Sequence, residues 1–189
     1  MWCGWSRNNL KLRPDDRSGL NRLLRSLGRR QFHLPPTERH VVTTTDDAST
    51  REANKEVLRR AMAAVSALDT DAVLAEMHDT AVFSLPFESL VPDSDMAGYR
   101  QLLTATFTMF KKFDVTITDF YDLVDPSVVI ARYRSDSEGR DKPVVYQNEY
   151  IGVFHFRDGK MTSWREWANP EVSHAAIAGF ADDAPVVNA

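Results

Sequence analysis

The sequence predicts an α+β fold in which helices cover one face of a curved antiparallel sheet. Three observations carry that expectation. Between about residues 50 and 110, three stretches repeat apolar residues at helical spacing. From about 113 to 168 the chain changes to long runs rich in Tyr, Phe, Trp, Val and Ile, the side chains that fit a pleated surface. The last two runs meet at Asp158-Gly159, a pair suited to a tight hairpin because Gly tolerates φ > 0. Helices followed by consecutive strands form an α+β layout.

Taken in order, residues 1–48 read as a basic extension, disordered or arising from a start assigned too far upstream. Within it LNRLLRSLGRR could form a short basic amphipathic helix through Leu20, Leu23, Leu24 and Leu27. Residues 49–181 form the domain, and 182–189 a tail. The domain opens at Ser49-Thr50-Arg51-Glu52, a capping-box pattern in which the Ser hydroxyl and Glu carboxylate satisfy orphan backbone N–H groups. Helix one runs from there to about Leu68, with Val57, Ala61, Val65 and Leu68 on one face. Asp69 or Thr70 caps a short second helix holding Val73, Leu74 and Met77. AVFSLPF is a strand ended by Pro86, followed by an irregular stretch through Pro92. A third helix spans about Asp95 to Phe110. Two strands follow, FDVTITDFYDLVD and VVIARYRSD, then the hairpin VVYQNEYIGVFHFRDGKMTSWREWANP, then a helix from about Pro170 to Phe180. In the first of these strands Val115, Ile117, Asp119 and Tyr121 alternate with Thr116, Thr118 and Phe120, so Asp119 is a candidate to face the interior.

Composition narrows the function classes. No apolar run is long enough to span a bilayer, so no membrane association is expected and the location expected is cytoplasmic. The single Cys3 rules out an intramolecular disulfide and a cysteine metal cage. The five histidines (His33, His40, His78, His155, His174) show no ligand spacing, so no metal is expected. Residues 1–40 carry nine Lys and Arg against three Asp and Glu, whereas the other 149 carry fourteen against twenty-four. The acidic body should repel nucleic acid.

The residue that draws chemistry is Glu166, flanked by Trp164 and Trp167. A carboxyl among large aromatics either points to water or is buried, with a pKa raised because desolvation disfavours its charge. The bland reading pairs Glu166 with Arg165, Arg132 or Arg134 as an ion pair on the sheet. Its neighbours depend on hairpin register. A two-residue loop sets Ile151, Val153 and His155 beside Glu166, Trp164 and Thr162. A three-residue loop with a Gly bulge sets Tyr150, Gly152, Phe154 and Phe156 there, and a one-residue slip exchanges the faces. The bulged loop is favoured, since it lines the interior with aromatics and sets a phenol opposite the carboxylate.

The order of elements and several short motifs resemble the SnoaL-like group of the nuclear-transport-factor-2-like superfamily, which includes polyketide cyclases and relatives of ketosteroid isomerase. The residues concerned are Ala81-Val82-Phe83 with Pro86-Phe87, Asp158-Gly159-Lys160, and Arg165-Glu166-Trp167 with Asn169-Pro170. The hairpin is similar to that of phenazine-biosynthesis A/B proteins, sharing Tyr146, Asn148, Phe154, Asp158-Gly159-Lys160, Arg165-Glu166 and Asn169. The resemblance covers roughly residues 50–180. It implies a cone-shaped curved antiparallel sheet with three helices packed on its concave face, a deep apolar pocket between them, and a homodimer formed through the convex face. The phenazine proteins place an acid/base Glu at the position of Glu166. Their His and Ser that hold a substrate carboxylate fall here on Leu102 and Thr106, which points to a less charged ligand. The Asp base and Tyr/Asp oxyanion hole of ketosteroid isomerase and the Asp–Arg–Asp relay of limonene-epoxide hydrolases are not found.

The expected activity is a cofactor-independent proton transfer of isomerase, cyclase or dehydratase type on a small apolar carbonyl compound. Glu166 would be the catalytic acid/base. Tyr146, Asn148 and Tyr150 would offer polar groups to the ligand, with Tyr150 or Asn148 steadying an enolate. Trp164, Tyr99 and Phe83 would wall the pocket, with Phe87 and Phe107. The alternative is a non-catalytic small-molecule-binding or accessory dimerising protein with the same cavity.

Overall fold

The protein is described by a computed structural model covering residues 45–88, 91 and 93–181. The basic extension before Thr45, its expected helix at Leu20–Leu27 and the 182–189 tail lie outside the described residues. The described elements are α1 (Thr45–Ser66), α2 (Thr70–Ala75), β1 (Met77–Ser84), α3 (Met96–Met109), β2 (Phe110–Asp122), β3 (Val128–Gly139), β4 (Val145–Arg157), β5 (Lys160–Ala168) and α4 (Pro170–Phe180).

Helix α1 starts at Thr45, four residues before the expected cap. The capping box does not form: Ser49 Oγ donates to Asp46 O at 2.9 Å, and Glu52 pairs with Lys55 at 2.8 Å. Asp46 and Asp47 occupy the first turn instead, where negative charge is favoured by the helix dipole. The helix buries Val57, Leu58, Ala61, Met62 and Val65. It stops before Leu68, which takes a left-handed φ of 57°. Asp69 then caps α2, its Oδ1 accepting from Ala72 N at 2.9 Å. That helix is only six residues long, so Met77 belongs to β1 and not to the helix face. Helices α3 and α4 are capped in the same way by Asp95 and Asn169, and Pro170 stands in the first turn, where its missing N–H costs nothing.

The five strands form one sheet in the order β1-β5-β4-β3-β2. Three pairings are antiparallel, as expected. The fourth, β1 with β5, is parallel, because β1 reaches the sheet from the helical layer and lies beside the last strand. Arg51 fixes the β2–β3 connection, its Nε and Nη2 donating to Leu123 O and Val124 O, both at 3.1 Å.

Two bulges decide which side chains enter the core. In β2, Ile117 pairs with Tyr133 and Asp119 with Arg132, leaving Thr118 as the extra residue. The slip turns Phe120 to the side of Val115 and Ile117 and sends Asp119 outward, where it lies 3.9 Å from Arg132. Simple alternation misplaced Asp119 for this reason.

The second bulge is in the hairpin. Asp158 and Gly159 both have positive φ, 53° and 73°, in a two-residue turn with Arg157 opposite Lys160. Register then shifts at Thr162, so that His155 faces Ser163, Phe154 faces Trp164 and Gly152 faces Glu166. The favoured register is present, but the three-residue loop is not: the extra residue sits inside β5. Tyr146, Asn148, Tyr150, Gly152, Phe154 and Phe156 consequently share the inner face of β4 with Trp164 and Glu166 of β5.

Gly152 is where this inner face is tightest. A Cβ there would press into the Phe154 ring and meet Tyr133 Cε1 at 3.1 Å. Gly152→Ala is therefore expected to destabilise the fold by about 1–3 kcal/mol, the usual cost of overpacking. Urea unfolding of both proteins measures it; equal midpoints would contradict the register.

Candidate active site

Strand alternation puts Trp164 and Glu166 on the same side of β5, and Trp167 on the other. The expected sandwich of Glu166 between two tryptophans is thus not formed. What surrounds the carboxyl comes from three other elements. Tyr133 reaches it from β3, and its hydroxyl donates to Glu166 Oε2. Trp164 Nε1 donates to the same oxygen at 3.1 Å. The indole is itself held in an aromatic box: Phe83 from β1 stacks on Tyr99 from α3 at 4.2 Å, and both meet Trp164 edge-on, at 5.8 and 6.0 Å.

The two carboxyl oxygens therefore differ. Oε2 is engaged by two donors, whereas Oε1 has no protein hydrogen bond among the described residues and is left for a ligand. None of the expected arginines pairs with Glu166. Arg165 Nε donates to Ser84 Oγ at 3.3 Å, and Arg132 lies on the opposite face against Glu149 at 3.2 Å. Glu166 keeps some accessible surface, which faces the cavity it lines.

That cavity has a volume of about 270 Å³. Its walls are mainly aliphatic and aromatic, with Met62, Val65, Leu103 and Phe107 from the helices and Phe113 and Val115 from β2. Among the described residues that line it there is no Lys, Arg or His, and the two carboxyls are Glu88 and Glu166. Leu102 and Thr106 both line it, so the helix face opposite the sheet offers no cation.

Without a cation, burial dominates the acidity of Glu166. Desolvation raises its pKa to about 7, against the lowering effect of the hydrogen bonds from Tyr133 and then Trp164. Burial, reinforced by the nearby Glu166 charge, also pushes the Tyr99 and Tyr133 phenols well above their ordinary value. Burial likewise raises Tyr150 and Tyr146. All four phenols stay protonated at neutral pH, with Tyr133 donating to Glu166 and Tyr150 to Tyr146.

Tyr99, Phe83, Trp164, Tyr146 and Tyr150 all line the cavity with Glu166. Asn148 does not. Its Nδ2 donates to Tyr146 Oη at 3.1 Å and to Asn169 O at 3.0 Å, and its Oδ1 accepts from Glu149 N and Asn169 N. The amide ties β4 to the start of α4 and has nothing left for a substrate. Tyr150 spends its proton on Tyr146 Oη at 2.7 Å and stacks on Tyr133 at 5.0 Å. By contrast the Tyr99 hydroxyl has no hydrogen-bond partner among the described residues.

Tyr133 was missed by sequence reasoning, which considered its strand only for Arg132 and Arg134. The signal was available: Val129, Ala131, Tyr133, Ser135 and Ser137 alternate inward while the arginines alternate outward. Glu88 gives no periodic signal, because it sits in the irregular stretch after β1. Its carboxylate meets His174 of α4 at 2.9 Å. Among the described residues no group of three or more His, Cys, Asp or Glu could hold a metal ion. No helix among them is long and apolar enough to cross a membrane.

A family model for the SnoaL-like domain matches residues 58–164. The uncharacterised protein YesE of Bacillus subtilis (strain 168) is 25% identical over 127 residues, covering 66% of this chain and 86% of YesE. A solved structure from Bacillus subtilis is 24% identical with a TM-score of 0.58, covering 69% of this chain and 96% of that one. A Mycobacterium tuberculosis LEH-like epoxide hydrolase is 19% identical with a TM-score of 0.55, covering 68% and 92% respectively. At these identities the solved structures speak for the fold, which NTF2-like proteins share.

The raised acidity constant has a signed consequence for stability. Between about pH 4.5 and 7 the unfolded chain releases the Glu166 proton while the folded protein retains it. Stability should fall as pH rises through that window and level off above it, by up to about 3 kcal/mol. Glu166→Gln should lose this fall, so its advantage over the parent grows from pH 4.5 to 7 in denaturant titrations. Parallel profiles would contradict the burial of the carboxyl.

Proposed function

The chain belongs to the SnoaL-like domain family, a fold commonly of isomerase and cyclase type, and from this we propose a proton-transfer enzyme acting on a small apolar carbonyl compound. The reaction is of isomerase, cyclase or dehydratase type and uses no group beyond the side chains described. The observation that carries the reading is Glu166: a carboxyl in an apolar cavity, gripped at Oε2, open at Oε1, and poised near pH 7 by burial.

The ionised form takes a proton at Oε1 from the carbon next to the carbonyl. The C–H electron pair becomes the C=C of an enolate, and the charge moves to the carbonyl oxygen. The neutral acid then returns the proton to a different carbon, or to a leaving oxygen. A pKa near the working pH keeps both forms populated, which favours transfer in both directions. In this reading the donor to the enolate oxygen is Tyr99, a buried phenol that lines the same cavity and has no hydrogen-bond partner among the described residues, in place of the Tyr150 or Asn148 expected from sequence. The absence of Lys and Arg among the described lining residues supports a neutral ligand, and the volume a compact one.

The test is α-proton exchange in D₂O, followed by NMR, across a panel of enolisable cyclic ketones. Exchange should vanish in Glu166→Gln and fall by about 10²-fold or more in Tyr99→Phe. Ligand-induced shifts without exchange for any ketone would favour the alternative, a binding or accessory protein with the same cavity.

The same reading joins two copies through the outer face of the sheet. There Ile151, 45% exposed, stands opposite Trp167 across the β4–β5 pair. Light scattering should give twice the chain mass of 21.4 kDa, and Ile151→Asp should give the monomer; a monomeric parent protein would remove this part of the reading.

A further inference from the structure

The cavity contains a second polar group whose protons can be counted. On the inner face of β3 and β4, Ser135 Oγ lies 3.0 Å from the Tyr150 hydroxyl, and Tyr150 donates to Tyr146 Oη at 2.7 Å. Since the Tyr150 proton goes to Tyr146, Ser135 must be the donor to Tyr150. Tyr146 Oη also accepts from Asn148 Nδ2 at 3.1 Å. A phenol oxygen has two lone pairs and one proton. Both lone pairs of Tyr146 are taken, so only its O–H remains to be placed. Among the described residues the acceptor in reach is Ser173 Oγ on α4, at 3.4 Å, the long limit of a hydrogen bond. Ser173 is held no more closely elsewhere, lying 3.4 Å from both Asn148 Nδ2 and Asn169 O.

Everything upstream is arranged to push a proton toward Tyr146, and nothing downstream receives it well. Tyr146 and Ser173 both line the cavity, as does Glu166. Between Tyr146 and Glu166 lie the stacked rings of Tyr150 and Tyr133, with an interplanar angle of 11°. This stacked pair joins the proton-transfer group at one end, through Tyr133, to the donor at the other, through Tyr150.

We propose that Tyr146 determines substrate specificity: the substrate is a compact cyclic carbonyl compound carrying a second oxygen acceptor, such as an ether or carbonyl, remote from the reacting carbon, and Tyr146 donates to it. This rests on the reading of Glu166 as the acid/base at the other end. The ligand replaces Ser173 as acceptor, so the Ser135–Tyr150–Tyr146–Asn148 chain acts as one prearranged donor. The chain also explains why Asn148 and Tyr150 have no free donor: they serve Tyr146.

The experiment compares 2-tetralone with its 5-, 6-, 7- and 8-methoxy isomers, binding being followed by protein NMR shifts. At least one isomer should bind the parent protein about 3–10-fold more tightly than 2-tetralone, the range expected for one net hydrogen bond. Tyr146→Phe should abolish that preference, bringing the affinity ratio of the favoured methoxy isomer to 2-tetralone down to about one. If no isomer gains over 2-tetralone, this inference falls while the carbonyl cavity stands. If no tetralone binds at all, the carbonyl reading and this inference fall together. Where the Phe variant does not fold, Tyr99→Phe decides the matter: the preference should survive it, and its loss would assign the second acceptor to Tyr99 and overturn the inference.

Discussion

A carboxyl group is held inside an apolar cavity with no Lys, Arg or His among the described residues that line it, and the inner architecture of the sheet accommodates that fact. An isolated charge in such surroundings is costly, and the usual resolution is a shifted pKa. Here Tyr133 and Trp164 both donate to Oε2. They offset part of the desolvation cost without supplying a positive charge. The result is a group that is neutral at mildly acidic pH and ionised above neutrality, while its other oxygen stays available. An arginine in place of either donor would hold the carboxylate ionised and end its usefulness as an acid.

This arrangement depends on packing at some distance from Glu166. Trp164 is aimed by the stacked pair of Phe83 and Tyr99, which come from a different strand and a different helix. Tyr133 lies flat against Tyr150, and the room for its ring exists because residue 152 has no side chain. The position opposite Glu166 across the hairpin is thus occupied by a glycine for steric reasons. Tyr150 in turn belongs to the hydroxyl chain ending at Tyr146, so the two polar ends of the cavity are joined through the stacked Tyr133 and Tyr150 rings. A small change at Gly152 would be felt at both.

Much of the fold was legible in the amino-acid sequence because its elements follow strong periodic patterns. The helix faces through Val57, Ala61 and Val65, the Asp69, Asp95 and Asn169 caps and the Asp158-Gly159 turn are local features with local causes. Glu166 could be picked out too, since a carboxyl between aromatics at the end of a strand is conspicuous. The misread points share one origin. Asp119 follows unbroken alternation to the wrong face because Thr118 is an inserted residue, whereas in the hairpin the expected faces hold and only the extra residue, Thr162 in β5 instead of the loop, is elsewhere. The helix start at Thr45 was missed because a capping-box pattern at Ser49 to Glu52 can be satisfied equally well by an ion pair with Lys55.

The sequence by itself determined the element order, the α+β class and the acidic candidate, since these depend on residue type and spacing along the chain. Tertiary structure decided which groups touch Glu166. Tyr133 lies 33 residues away on a non-adjacent strand, and Tyr99 comes from a helix packed across the sheet. It also decided that Asn148 would be consumed internally and that Tyr146 would keep a proton. Hydrogen-bond saturation belongs to a three-dimensional network, and the pKa of a carboxyl to its desolvation. Neither exists until strands distant in sequence are brought together.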